Sequence, residues 1–216
     1  ADNNKLSLAS KISGFVAFHS LFVPVILYAV VIIFAPTVIK VQAILLYVLS
    51  VLLFGSFRSE YKYGSPWRRF SENYPLFVHM RSYLQLSFGP MPKELVDAEK
   101  KEGAQFIFAA FPHGCSSEFR ILMEGMLQHI LPNVYVKVRA LAATVLFCIP
   151  IVREVALWGG CVDASRKIAA KNLDAGNSLV VLPGGEAEQL MTEYGKEKVY
   201  VRKRKGFVKL AMRKRI

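Results

Sequence analysis

Residues 21–39 run for 19 positions without a charged side chain and residues 41–57 for another 17, with Lys40 alone between them. Each run approaches the ~20 residues that carry a helix through a ~30 Å hydrocarbon core. In lipid the backbone must satisfy its own hydrogen bonds, so two helices joined by a tight turn are the form open to such a sequence. Pro24, Pro36 and a turn at Lys40 predict a membrane-embedded helical hairpin over 21–57. Arg58, Lys62, Arg68, Arg69 and Arg81 follow it, and the positive-inside bias predicts that residues 1–20 and everything after the hairpin face the cytosol. The apolar stretch is too long for a signal peptide, and no small-residue cleavage site follows it. The competing reading is a buried helical pair in a larger globular protein.

Residues 58–92 interleave Trp67, Phe70, Tyr74, Phe77 and Tyr83 with Arg68, Arg69 and Arg81, the pattern of an interfacial connection. From Lys93 the pattern changes. Strand-like runs at 105–111, 134–138, 178–182 and 198–202 alternate with helical spacing at 118–130, 164–175 and 206–215. Asp163 is a candidate N-cap and Gly176 a candidate stop for the second of these helices. Strands alternating with helices predict an α/β sheet domain over 93–216 behind the hairpin.

Composition fits this division. The hydrophobic fraction of 53% and mean hydropathy of +0.33 are too high for an ordinary soluble domain. Of the net charge of +12, residues 196–216 hold ten basic residues against Glu197, which is +9. Such a block suits a polyanion: an anionic membrane surface, a phosphate-bearing small molecule or nucleic acid. Nucleic acid fits least, because the aromatics cluster with the membrane segments and not with the basic block. Three cysteines at no zinc-like spacing imply neither a disulfide framework nor a metal cluster. Cys148 and Cys161 have apolar neighbours and read as packed thiols.

Two loops that should leave strand ends carry the chemistry. The first is Phe111-Pro112-His113-Gly114-Cys115-Ser116-Ser117-Glu118. Pro112 and Gly114 fix the backbone around His113, and Glu118, in the expected first helical turn, can fold back to orient the imidazole and support its positive charge. An imidazole so placed is suited to taking a proton from an alcohol. The second loop is Leu182-Pro183-Gly184-Gly185-Glu186, whose glycines free backbone N–H groups to face an oxyanion or phosphate. It has neither the Lys-Ser/Thr of a phosphate-binding P-loop nor the spacing of a dinucleotide fingerprint.

With Tyr74-Pro75, with Pro150 and Arg153, and with Arg204-Lys205-Gly206-Phe207, these loops fall in an order that resembles the type 2 diacylglycerol acyltransferases, a family that includes monoacylglycerol and wax-ester acyltransferases. Phe111 stands where the family's usual block has its first histidine, as in an algal or diatom-like branch. The chain ends at Ile216 inside a helical pattern where the family runs on, so the sequence is expected to be a C-terminally truncated fragment.

The resemblance implies transfer of an acyl group from acyl-CoA to diacylglycerol, giving triacylglycerol and CoA. His113 would be the general base and Glu118 its partner. Pro112, Gly114, Arg153, Gly184, Gly185 and Glu186 would line the substrate site, with the Gly184-Gly185 backbone or Arg153 at the oxyanion or a glycerol oxygen. Arg204 and Lys205 suit CoA phosphates or lipid headgroups. Acyl-CoA is a co-substrate, and no metal or other cofactor is implied. The expected partners are acyl-CoA, a lipid alcohol and membrane lipid. The expected location is the endoplasmic reticulum membrane with a cytosolic catalytic domain, or a lipid-droplet surface. Monoacylglycerol or a fatty alcohol as acceptor, a Cys115 thiolate nucleophile, and a non-enzymatic hairpin protein on lipid surfaces are the rival readings.

Overall fold

The computed structural model describes residues 8–20, 23–54, 60–114, 122–123, 125–196 and 198–216. The apolar region forms helix α2 (Val23–Phe34) and helix α3 (Thr37–Phe54), preceded by α1 (Leu8–Ser20). The chain breaks at Ala35-Pro36 and not at the expected Lys40, because Pro36 disfavours a helical residue before it and so ends α2. Lys40 lies in the first turns of α3, and its ammonium donates to the Ile33 carbonyl at 2.9 Å, satisfying one of the acceptors left at the end of α2. The Tyr28 and Tyr47 rings, 6.1 Å apart, set the two helices side by side. No residue of α2 is buried. Its 12 residues rise only about 18 Å. Among the described residues no helix is long and apolar enough to cross a membrane.

The short helices α4 (Glu60–Tyr63), α5 (Arg68–Asn73) and α6 (Pro75–Tyr83) follow, then α7 (Lys93–Glu99). Phe77 and Met80 are buried with Leu122; beside them Trp67 and Phe70 stack on each other and Trp158 meets both edge to face. Of the aromatics expected at an interface, Phe77 is therefore interior, whereas Trp67 and Tyr74 are exposed. α1 lies along α6, with Gly14 against the Tyr83 ring where any Cβ would collide.

Four parallel strands make the sheet: β1 (Ile107–Ala109), β2 (Val138–Ala142), β3 (Cys161–Asp163) and β4 (Ser178–Val181), in the order β1-β4-β2-β3. Ala140 aligns with Val180 on one side and Cys161 on the other. Alternate residues serve opposite faces. Val138, Ala140 and Val180 join Leu127 and Leu131 near α8 (Leu127–Ile130) and Leu95 of α7. Leu179, Val181 and Leu141 meet Ala169 and Leu173 of α10 (Arg166–Asp174) and Leu210 of α12 (Gly206–Lys214). The sheet is thus covered on both sides, which is why its strands are apolar runs. Between β2 and β3 lies α9 (Val152–Trp158).

Two expected strands are replaced. Val134 and Val136 flank and occupy a 3-10 turn (Tyr135–Lys137), and β2 starts only at Val138. Residues 198–202 form no strand. Of the helix expected over 118–130, residues 118–121 and 124 lie outside the described residues, and the described part includes α8 (Leu127–Ile130) at its end.

Candidate active site

β1 and β4 are neighbours, so the loops at their carboxyl ends are brought together, as parallel α/β sheets do for their sites. Ala110 N–H still donates to Val181 O at 2.9 Å beyond the end of β1. Pro112, His113 and Gly114 follow, with Gly114 at φ +68°, a conformation glycine takes without steric cost. Phe111, at the position of the family's first histidine, is exposed.

The His113 Nδ1 lies 3.0 Å from the Gly114 carbonyl oxygen. A carbonyl only accepts, so Nδ1 carries the hydrogen and the neutral ring presents its lone pair at Nε2. The main chain thereby sets which ring nitrogen of His113 carries the hydrogen. Glu118, expected in that role, lies outside the described residues, as does Cys115.

The second loop ends in α11 (Gly185–Leu190). Glu186 in its first turn is exposed, whereas Glu188 is 1% exposed. Its Oε2 accepts the backbone N–H of His113 at 2.5 Å and its Oε1 that of Tyr200 at 2.6 Å. One buried carboxylate thus fastens the histidine loop, the double-glycine loop and the segment leading to α12. It also explains Gly184: a Cβ there would fall on the Glu188 carboxylate. Gly185, at φ +51°, makes the left-handed step into the helix. The Tyr200 N–H is committed to Glu188, one reason residues 198–202 do not join the sheet as a strand.

Arg153 sits apart from these contacts. It is 7% exposed and bridges Glu60 of α4 and, at 2.9 Å, Glu154. Burial pulls its pKa down, but the two carboxylates outweigh that and raise it. Glu154 also accepts the Ile151 N–H at 2.9 Å and the Tyr47 hydroxyl at 3.3 Å, tying α3 to α9. At the end of β3, Asp163 is buried and accepts the Thr144 hydroxyl at 2.5 Å and the Ser165 N–H at 2.8 Å. Asp163 therefore braces the loop before α10 from inside, and Ser165 takes the N-cap position expected for it. The Arg204 guanidinium lies over the Tyr200 ring at 5.5 Å, and Lys205 occupies the N-cap position of α12. Cys161 is buried in β3, but Cys148 is exposed. Among the described residues no group of three His, Cys, Asp or Glu side chains could hold a metal ion.

Pro112, His113, Gly114, Gly184 and Gly185 are thus assembled around Glu188, with Arg204 adjoining through Tyr200. Glu188 is the residue that sequence reasoning missed. Its signal was a second acid two positions after Glu186. Such residues stand about 200° apart on a helix, so only one can face inward.

The profile of the family described as diacylglycerol acyltransferase matches residues 31–215. The chain is similar to diacylglycerol O-acyltransferase 1 of Eremothecium gossypii, 28% identical over 178 residues, covering 68% of this chain and 38% of that protein. It is similar to diacylglycerol O-acyltransferase 2-like protein 6 of Mus musculus, 29% identical over 157 residues, covering 69% and 43%. Diacylglycerol O-acyltransferase 2 of Homo sapiens is 33% identical over 114 residues, covering 50% and 29%. The chain spans less than half the length of these curated relatives. No solved structure matches it significantly.

Proposed function

The chain belongs to the diacylglycerol acyltransferase family, and from that premise we propose that it works in acyl-CoA-dependent O-acylation of a lipid alcohol, with diacylglycerol as acceptor and triacylglycerol and CoA as products. The observation that carries this reading is the Nδ1 contact of His113 with the Gly114 carbonyl, on a backbone clamped by Glu188.

His113 Nε2 takes the hydroxyl proton of the acceptor as its oxygen attacks the thioester carbonyl. The C–O bond forms, and the negative charge moves onto the carbonyl oxygen. Collapse of this adduct breaks the C–S bond, and the imidazolium returns its proton to the leaving sulfur. Glu118 supports the imidazolium charge. The Gly184-Gly185 backbone N–H groups are the donors for the oxyanion, since Arg153 is held by two carboxylates and serves as an anchor. Glu186 is left to contact substrate from the exposed start of α11. No metal or redox group enters these steps, and acyl-CoA is consumed as a co-substrate.

The α2–α3 pair is the membrane element, in the endoplasmic reticulum or on lipid droplets, with the sheet domain on the cytosolic side. Two facts support this. The pair exposes Ile26, Leu27, Val30, Ile44, Leu45 and Leu49 around its circumference, an area of apolar surface that water does not tolerate. α1 and α6 lie together, so the chain before the pair and the chain after it return to one body. An embedded pair resists alkaline carbonate; quantitative release would remove it from the bilayer.

The activity is tested with the full-length protein, labelled acyl-CoA and three acceptors: diacylglycerol, monoacylglycerol and a fatty alcohol. Acyl-CoA-dependent triacylglycerol formation is expected. Ester formed only from another acceptor would reassign the substrate, and none from any would leave a non-enzymatic lipid-surface protein.

A further inference from the structure

At the carboxyl ends of β2 and β4, on the face covered by α10 and α12, a cleft of about 770 Å³ opens. Its rim carries six cationic side chains, Arg166, Lys203, Lys205, Lys209, Arg213 and Lys214, and among the described residues no acid lines it. Lys214 is spoken for by Asp174. Among the described residues no carboxylate pairs with the other five. Its floor is apolar, formed by Leu141, Val181, Phe207 and Leu210. A shallower continuation of about 430 Å³ runs past Arg204 to Leu182 and Pro183, the residues that lead into Gly184-Gly185.

Five cations converging without counter-charges repel one another, and a concave wall concentrates their field. A polyanion relieves that cost. The apolar floor adds a second requirement: the anion must belong to a molecule that also has a body to lay in a cleft. A flat lipid surface meets rim charges but not a floor, whereas a phosphorylated nucleotide carrying a long arm meets both.

We propose that this cleft takes the phosphate-bearing nucleotide end of the thioester donor. Arg166, Lys203, Lys209 and Arg213 join Lys205 on the phosphate oxygens, and the arm runs over the floor toward Pro183 and the double-glycine loop. Arg166 and Lys209 belong to helices that sequence reasoning left without a ligand; they enter here because α10 and α12 pack side by side on the same sheet face. The proposal rests on the acyl-CoA reading above.

The test uses the full-length protein in detergent micelles and labelled coenzyme A, which binds without turnover. The variant Arg166→Ala/Lys209→Ala should weaken coenzyme A binding by about tenfold or more, the loss expected for removing charge-assisted phosphate contacts. Adenosine 3′,5′-bisphosphate should compete with coenzyme A on the wild type, and pantetheine should not. The charge-keeping variant Arg166→Lys/Lys209→Arg should retain most of the affinity, which separates a charge role from packing. Unchanged coenzyme A affinity in the alanine variant overturns the proposal, as does an equal loss in the charge-keeping variant. Loss of partition to phosphatidylserine vesicles with coenzyme A affinity intact also overturns it and assigns the patch to the membrane surface. If the wild type binds coenzyme A through these residues yet acylates no alcohol, the transferase reading fails while the site stands. If it acylates normally and the alanine variant binds as well as wild type, the site alone fails.

Discussion

Glu188 Oε2 lies 2.5 Å from the backbone nitrogen of His113, 75 residues earlier in the chain, while its other oxygen takes the N–H of Tyr200 at 2.6 Å. The carboxylate does not touch the imidazole in either contact. It fixes where the histidine's main chain sits, and the Gly114 carbonyl then fixes which ring nitrogen is free.

Glu188→Gln keeps the shape but turns one acceptor oxygen into a donor amide facing an N–H. One buried N–H is then unsatisfied, at a cost of about 1–3 kcal/mol. Glu186→Gln, on the exposed side of α11, should leave stability within about 0.5 kcal/mol. Thermal unfolding of the two variants side by side checks this. Equal losses would mean the two acids are not distinguished as the structure has them.

Gly184→Ala and Glu188→Ala disturb one contact from its two ends. Each alone should lower both stability and turnover. Together they should cost less than the sum of the two, because the carboxylate atoms that the new methyl group would meet are then gone and only the Cβ of residue 188 has still to give way. Additive losses in a double-mutant cycle would show that Gly184 is required for another reason.

Arg153→Met leaves Glu60 and Glu154 facing each other with no cation, a change worth about 3–5 kcal/mol at a buried pair. Folded yield should fall, and Glu60→Gln in the same chain should recover part of it. Turnover per folded molecule should stay close to wild type. A fall in kcat with stability intact would return Arg153 to the oxyanion.

Burial pushes the Asp163 carboxyl up, but hydrogen bonds from the Thr144 hydroxyl and the Ser165 N–H outweigh it and hold it below its usual value. A group that ionises more readily folded than unfolded adds stability that is complete above its unfolded value, ~3.9, and is lost as pH falls through the folded one. The wild type should therefore shed this contribution only below about pH 4. In Asp163→Asn that part of the acid slope should be missing, as denaturant midpoints between acid and neutral pH would reveal. An unchanged slope would place the titrating group elsewhere.

What could be read from the sequence and what could not divide along physical lines. β4 was legible because Ser178 to Val181 is buried on both faces, so composition alone marks it. Residues 134–138 alternate as a strand does, yet Val134 and Val136 belong to a turn, since alternation does not record where pairing begins. The paired loops were legible because proline limits its own backbone and glycine permits the left-handed turns that other residues resist. Glu188 was not, because whether it or Glu186 points inward depends on which glycine opens α11. That Arg153 is paired with two carboxylates was not legible for a related reason. Its partner Glu60 lies 93 residues away, and only the folded chain joins them. The apolar pair was plain, but its turn was put at Lys40, whose ammonium reaches back to Ile33 instead of ending the helix.

The central claim is direct attack on the thioester assisted by His113, and single-turnover and steady-state kinetics of His113→Ala beside Cys115→Ala, in the full-length protein at matched expression, test it most directly. His113→Ala should lower kcat by about 10²- to 10⁴-fold with KM little changed, and Cys115→Ala should turn over normally. Trapping of an acyl group on Cys115, or near-normal turnover by His113→Ala, would contradict it.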